Sequence, residues 1–231
     1  MTALLSLALA TLFLIVTHFV LSHLVRAPLV RLLGERGFIF FFMAVAIAAL
    51  VWMSMAWGKT VPGPAWVAPY WWWLVASAVT LFASVLLAGS LVRNPAFPRP
   101  GAPPAPITRE PTGVFAITRH PANWSFMLWA LAHLSLSTST RNLVVAGGVL
   151  FLAFFGTLAQ DAKKVRQLGE TWRDWEARTS FIPFAALLQG RISWRAASPG
   201  WIALLGGLVF WTLATSYHVP LISPLGDLLS R

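Results

Sequence analysis

The sequence predicts an all-α, polytopic transmembrane helix bundle of about six spans with one cytoplasmic interfacial amphipathic helix. Three observations carry that prediction. Of 231 residues, 58% are hydrophobic and only 10% are charged, against about 25% charged in a soluble domain. The apolar residues fall in long runs, and about 20 helical residues cross a bilayer core. The 17 Lys and Arg outnumber the 7 Asp and Glu and gather on alternate connections, as the positive-inside rule requires. On a soluble protein this excess would point to nucleic acid. Here the expected partner is the lipid bilayer, with cations facing anionic lipid, and no nucleic acid. The chain has no cysteine, which excludes disulfides, thiolate metal sites and iron–sulfur clusters held by Cys.

In chain order, Ala3 to Leu24 is the first apolar run. No Lys or Arg precedes it and it exceeds a signal-peptide core, so it reads as a retained anchor. Arg26, Arg31, Glu35 and Arg36 form a polar connection, and Gly37 to Trp57 is the second span. A Pro/Gly-containing loop follows, and Trp71 to Val92 is the third span, opened by three interfacial tryptophans. Arg93 to Pro111 holds seven prolines and reads as loop, because each proline removes a backbone donor. The fourth span runs from Pro121 to Thr138, Thr140-Arg141-Asn142 is a turn, and Leu143 to Ala159 is the fifth. From Gln160 to Ser180, Val165, Leu168, Trp172 and Trp175 recur at helical spacing among charges, the pattern of a helix lying on the membrane surface. Phe181 to Leu188 is apolar but too short to span, and Trp201 to Ser216 is the sixth span. The expected division is a membrane domain over 1–190 and an additional span over 191–231. An outside N-terminus puts fourteen of the seventeen Lys and Arg inside and leaves Lys59, Arg141 and Arg231 outside, so both termini are expected outside.

The candidate site residues are histidines within apolar runs, where an ionisable side chain is costly and needs a partner. His18 lies in the first span and His133 in the fourth, after Arg119-His120-Pro121. Such a partner can be a hydrogen-bonding group or a metal ion, since imidazole serves as either a donor or a ligand. The alternative for each is a buried ring bonded to a hydroxyl or carbonyl. Counting along ideal helices, His18 lies about 12 Å from Arg26 and His133 about 21 Å from Arg119. His23 and His120 are alternative ligands. His23 faces away from His18, and His120 sits about 20 Å along the helix from His133, so neither pair shares one iron. Arg26 and Arg119 could bind carboxylates of a cofactor through their forked guanidinium groups, or simply anchor the inner face.

Three pairs of segments resemble the NnrU family of bacterial membrane proteins. They are His18-Phe19-Val20-Leu21-Ser22-His23 with Leu33-Gly34-Glu35-Arg36-Gly37-Phe38; Thr118-Arg119-His120-Pro121 with Trp129-Ala130-Leu131-Ala132-His133-Leu134; and Gly169-Glu170-Thr171-Trp172 with Thr179-Ser180-Phe181-Ile182-Pro183-Phe184. The resemblance covers roughly 1–190 and implies a multi-pass protein of the bacterial inner membrane. The family's name implies a link to nitric oxide and denitrification genes. The family is similar to the plant ζ-carotene isomerases, membrane enzymes that carry haem b on two histidines. That similarity implies haem b between His18 and His133 and a cis-trans isomerisation of a hydrophobic polyene. Those isomerases hold a cysteine three residues before the second histidine, where this chain has Ala130, so any ligand exchange using that thiol is lost.

A second resemblance leads elsewhere. Arg119-His120-Pro121 before a Trp-rich span, then Gly169-Glu170-Thr171-Trp172, also resembles the isoprenylcysteine and phospholipid methyltransferases of membranes. It implies an S-adenosylmethionine site at the cytoplasmic end built from Arg119, His120, Asp161 and Glu170, with Gln160-Asp161 in place of a usual Glu-Glu pair. A structural subunit with no ligand is the third reading.

Overall fold

The computed structural model describes residues 2–63, 65–66, 68–92, 94–97 and 107–218, so most of the proline-rich loop, and Arg231, lie outside the described residues. Helix α1 (Ala3–Phe19) continues through a π turn (Val20–Leu24) into α2 (Arg26–Lys59), which breaks at Gly34 with φ +69°. Then come α3 (Tyr70–Ser90), the short α4 (Val114–Ile117), α5 (Pro121–Leu136) and α6 (Thr140–Leu168). The described residues continue with α7 (Glu170–Arg178), α8 (Ala185–Leu188), a 3₁₀ turn (Trp194–Ala197) and α9 (Trp201–His218). Among the described residues four stretches, Ala3–Leu24, Arg26–Lys59, Tyr70–Ser90 and Thr140–Leu168, are long and apolar enough to cross a membrane, and Trp201–Ser216 is a shorter apolar helix.

Helix α3 is the hub, with α5 on one side and α9 on the other; α5 packs on α6, α6 on α1, and α1 on α2. Polar contacts pin four neighbouring pairs. Trp52 Nε1 donates to Ser6 Oγ at 3.0 Å between α2 and α1, and Trp72 Nε1 to Ser135 Oγ at 2.9 Å between α3 and α5. Asn123 Nδ2 donates to Thr157 Oγ1 at 2.8 Å between α5 and α6, and Trp211 Nε1 to the Ser77 carbonyl at 3.1 Å between α9 and α3. Such contacts are each worth about 0.6 kcal/mol in a membrane bundle, enough to fix register but not to hold helices together alone. Tryptophans expected at the headgroup level are thus partly internal fasteners.

The stretch expected to form one surface helix over Gln160–Ser180 does something different. Its first half extends α6, which at 29 residues is about 44 Å long and outruns the bilayer core. Gly169 then reverses the chain with φ +55°, a conformation glycine adopts without a steric penalty. Helix α7 folds back so that Trp172 and Trp175 are fully buried in a cluster with Val85, Leu86, Val114, Phe115 and Ile117. The amphipathic spacing was read as facing lipid, but it faces protein. The segment Phe181 to Leu188 packs here too, with Ala186 and Leu187 buried against Ala116 and Ile192.

The final helix belongs to the bundle. A Cβ added at Gly207 would lie 2.6 Å from the Val85 Cα and 2.7 Å from its nitrogen, so α9 and α3 touch backbone to backbone, the use that membrane helices make of small residues. Gly207→Ala is therefore expected to force the two helices apart and lower unfolding stability in detergent by about 1–3 kcal/mol. Gly147→Ala, where an added Cβ meets nothing within 4 Å, is expected to stay within about 0.5 kcal/mol of the parent.

Candidate functional site

Two polar centres occupy opposite ends of α5. The first is a closed network at the basic end. Thr118 is extended, and its Oγ1 donates to the Phe181 carbonyl at 2.8 Å while the Arg119 N–H donates to the Ser180 carbonyl at 2.8 Å. Pro121 then starts α5 in its first turn, where a missing N–H costs nothing. This fixes Arg119 and His120 against α6. Arg119 places Nε and Nη2 on Asp161 Oδ2 at 3.0 and 2.7 Å, and His120 Nε2 and Trp172 Nε1 reach Asp161 Oδ1 at 2.8 and 3.2 Å.

A carboxylate offers about four acceptor positions, and Asp161 has four donors upon it. The carboxylate makes His120 Nε2 the donor; Gln160 meets Nδ1 at 3.2 Å and can present either end of its amide by a half-turn. Glu176 adds a second carboxylate 3.6 Å from Arg119. His120 is buried, with a side-chain exposure of 1%, and Asp161 is at 12%.

The second centre is a cavity of about 410 Å³ inside the helix bundle, within the range of small-molecule sites. It is walled by α2, α3, α5, α6 and α9. Ser77, Thr80 and Ser84 line one face of α3, but Thr80 Oγ1 and Ser84 Oγ donate back to the Ser77 and Thr80 carbonyls, at 3.0 and 2.8 Å, which spends their polarity on their own helix. The aromatic walls are Trp73, Phe126, Trp129, Phe210 and Trp211, and the one titratable residue is His133. Its Nδ1 lies 2.8 Å from the Trp129 carbonyl, and its ring lies against Trp129 at 4.2 Å between centroids, tilted by 33°. A carbonyl only accepts, so Nδ1 carries the proton and Nε2 holds the lone pair in the neutral ring. Phe126 and Phe210 line the cavity yet are exposed on the outer surface of the bundle, so it opens sideways toward the surrounding apolar medium.

The other expected site residues lie elsewhere. His18 faces α2, its ring edge-on to Phe42 at 4.8 Å, and does not line the cavity. On α6, Gly148 sits against Thr11. His18, seven residues further along α1, is therefore about level with Phe155. The His133 carbonyl accepts from Asn142 Nδ2 at 2.7 Å, and its side chain shares the cavity with Val149. The backbone positions of the two histidines thus lie about 9–20 Å apart in depth along the bundle. Arg26 pairs with Glu35 at 2.8 Å, and Arg119 is engaged by Asp161. His23 stacks on Phe19 at 6.2 Å. Among the described residues no cluster of three or more His, Cys, Asp or Glu could hold a metal ion. The structure does bring together Arg119, His120 and Asp161, three of the four residues of the methyltransferase reading, but Glu170 stands apart, 81% exposed.

Long apolar helices with a laterally open apolar cavity define a multi-pass helical membrane protein. The chain belongs to the NnrU protein family, whose sequence pattern matches residues 6–224 and so runs through α9. It is similar to the chloroplastic 15-cis-zeta-carotene isomerase of Arabidopsis thaliana, 35% identical over 80 residues, which is 35% of this chain and 22% of the relative. The Zea mays enzyme of the same name is 32% identical over the same shares. The match thus spans about a fifth of each relative. No solved structure matches the chain.

Sequence reasoning missed Ser77, Thr80 and Trp211 as cavity residues and Gln160 and Trp172 as partners of the buried network. A run of Ser and Thr at helical spacing along α3 was the available signal for the former. Removing the acceptor that organises the network leaves Arg119 and His120 uncompensated, so Asp161→Ala is expected to cost about 3–5 kcal/mol of stability, read by thermal unfolding. Glu170→Ala is expected to change it by less than about 0.5 kcal/mol.

Proposed function

We propose that this protein takes a hydrophobic, polyene-like molecule from the membrane into the cavity around His133 and Trp129 and acts on it as an isomerase. The observation that carries the reading is the cavity itself: an apolar, aromatic-walled space that opens sideways and contains one titratable residue. The names of the two plant relatives supply the reaction class. The aromatic walls would hold a flat conjugated chain by stacking and keep water from it. The cations concentrated on one end support a bacterial inner-membrane orientation with both termini outside. A nitrogen-oxide-linked role rests on the family name alone.

Haem b enters this reading through His133 only. Its Nδ1–H on a backbone carbonyl is the support that a metal-ligating histidine commonly has, so His133 would hold the iron at the cavity. His18 lies at a different depth on α1 against Phe42, which is why this reading rests on His133. Bound there, haem would supply an iron centre able to alter the electron density of a neighbouring double bond. The methyltransferase reading is the weaker one: Arg119, His120 and Asp161 are buried and bonded to one another, which leaves them little capacity for a cofactor.

The test is conversion of a 15-cis carotenoid by the purified protein, followed as isomer composition by chromatography alongside the visible spectrum. The parent is expected to convert it. His133→Ala is expected to lose at least about 100-fold in rate, the lower end of what a positioned acid, base or ligand contributes. Any Soret band is expected to vanish in His133→Ala and persist in His18→Ala. A parent that leaves the isomers unchanged with haem supplied contradicts the reading. A band lost in His18→Ala as well contradicts the single-histidine arrangement.

A further inference from the structure

At the basic end, away from the cavity and the Asp161 network, three elements bring cations together. His23 closes the π turn, Arg26 opens α2, and Lys163 and Arg166 sit one turn apart near the end of α6. Helix α1 runs alongside α6 in the same direction, with Leu7 packed with Val145 and Thr11 against Gly148, which carries the end of α1 to the level of Lys163 and Arg166. There Lys163 lies within electrostatic range of Arg26, Lys164 and Arg166, and His23 within range of Lys163 and Arg166. Arg26 is held in place by Glu35 at 2.8 Å and by the Phe38 ring 5.4 Å away. Glu35 is the one carboxylate bonded into the group. Among the described residues, neither Lys163 nor Arg166 has an ion-pair partner.

Like charges one turn apart repel, so a fold that gathers four basic side chains around a single carboxylate leaves a place for an anion. The π turn that delivers His23 widens α1, and such turns are frequent at functional sites. The depth identifies the anion. The first apolar run ends at Leu24, and that of α6 at Ala159, which puts the cluster at headgroup level. Guanidinium and ammonium groups both bind phosphate oxygens through charge-assisted hydrogen bonds. A zwitterionic headgroup also brings a cation, which this cluster repels.

We propose that His23, Arg26, Lys163 and Arg166 form a binding site for the phosphate of an anionic phospholipid headgroup, seated between α1, α2 and α6. The site joins the start of the bundle to the projecting end of α6 and makes bound acidic lipid part of the folded protein.

The test titrates the full-length protein in neutral detergent with short-chain phosphatidylglycerol, phosphatidylcholine and inorganic phosphate at one ionic strength, reading thermal stabilisation. Phosphatidylglycerol is expected to stabilise at the lowest concentration. Lys163→Gln and Arg166→Gln are each expected to weaken that binding about fivefold, with Lys163→Arg retaining it and Lys59→Gln, at the opposite end, leaving it unchanged. Arg166 is exposed, so its variant carries the test if Lys163→Gln fails to fold. Equal binding of the two lipids, or parent-like phosphatidylglycerol binding by Arg166→Gln, overturns the proposal. Inorganic phosphate stabilising as strongly as phosphatidylglycerol overturns the lipid assignment and makes the site one for a soluble anion.

Discussion

The basic end of this protein depends on one buried carboxylate. Asp161 accepts from Arg119, His120 and Trp172, which sit before α5 and on α7. Without those donors a carboxylate at the end of an apolar helix would carry a desolvation cost of several kcal/mol. With them, the start of α5, the projecting end of α6 and the folded-back α7 become one unit. Trp172 contributes twice, as donor to Asp161 and as a fully buried ring. A ring of that size removes about 150–250 Å² from water, worth about 4–6 kcal/mol before entropy. The network therefore acts as a structural clamp.

The clamp explains how function can lie at the other end. Once α5 is fixed at His120, its last turns are positioned along α3 and α6, and Trp129 and His133 meet the cavity. The polar pins on α3 then set the opposite wall. Trp211 reaches both the Ser77 carbonyl and Thr80 Oγ1, so α9 is held against α3 and completes the cavity. An apolar space lined by self-satisfied hydroxyls suits a molecule with few polar groups.

The class of fold was legible because composition and run length leave little choice: apolar runs near 20 residues separated by basic connections become spanning helices. Glycine and proline punctuation was less complete a guide. Gly169 ended a helix as its type suggests, yet Gln160 to Leu168 joined α6 instead of α7, because helix propensity does not stop at the membrane surface. The periodicity of Trp172 and Trp175 identified a buried face but not what buries it, since lipid and protein core accept the same side chains. For the site, the histidines stood out as costly residues, and the Arg119-His120-Pro121 segment did mark a centre. What one-dimensional spacing could not supply was depth. His18 and His133 look alike as histidines within spans, and only the packing of Thr11 against Gly148 fixes α1 along α6. The methyltransferase-like pattern did group Asp161 with Arg119 and His120, some forty positions earlier, but did not show that they bond to one another in a closed network.

The central claim, that the ligand site is the cavity at His133, is tested most directly by equilibrium binding of a carotenoid, followed by quenching of tryptophan fluorescence in the parent and in Ala76→Phe. Ala76 is buried in the cavity wall on α3, and a phenyl ring there occupies the space without touching His133 chemistry or the Asp161 network. The account predicts saturable quenching in the parent and none in an Ala76→Phe protein that retains the parent's helix content and cooperative unfolding. Undiminished carotenoid binding by that folded variant would contradict it.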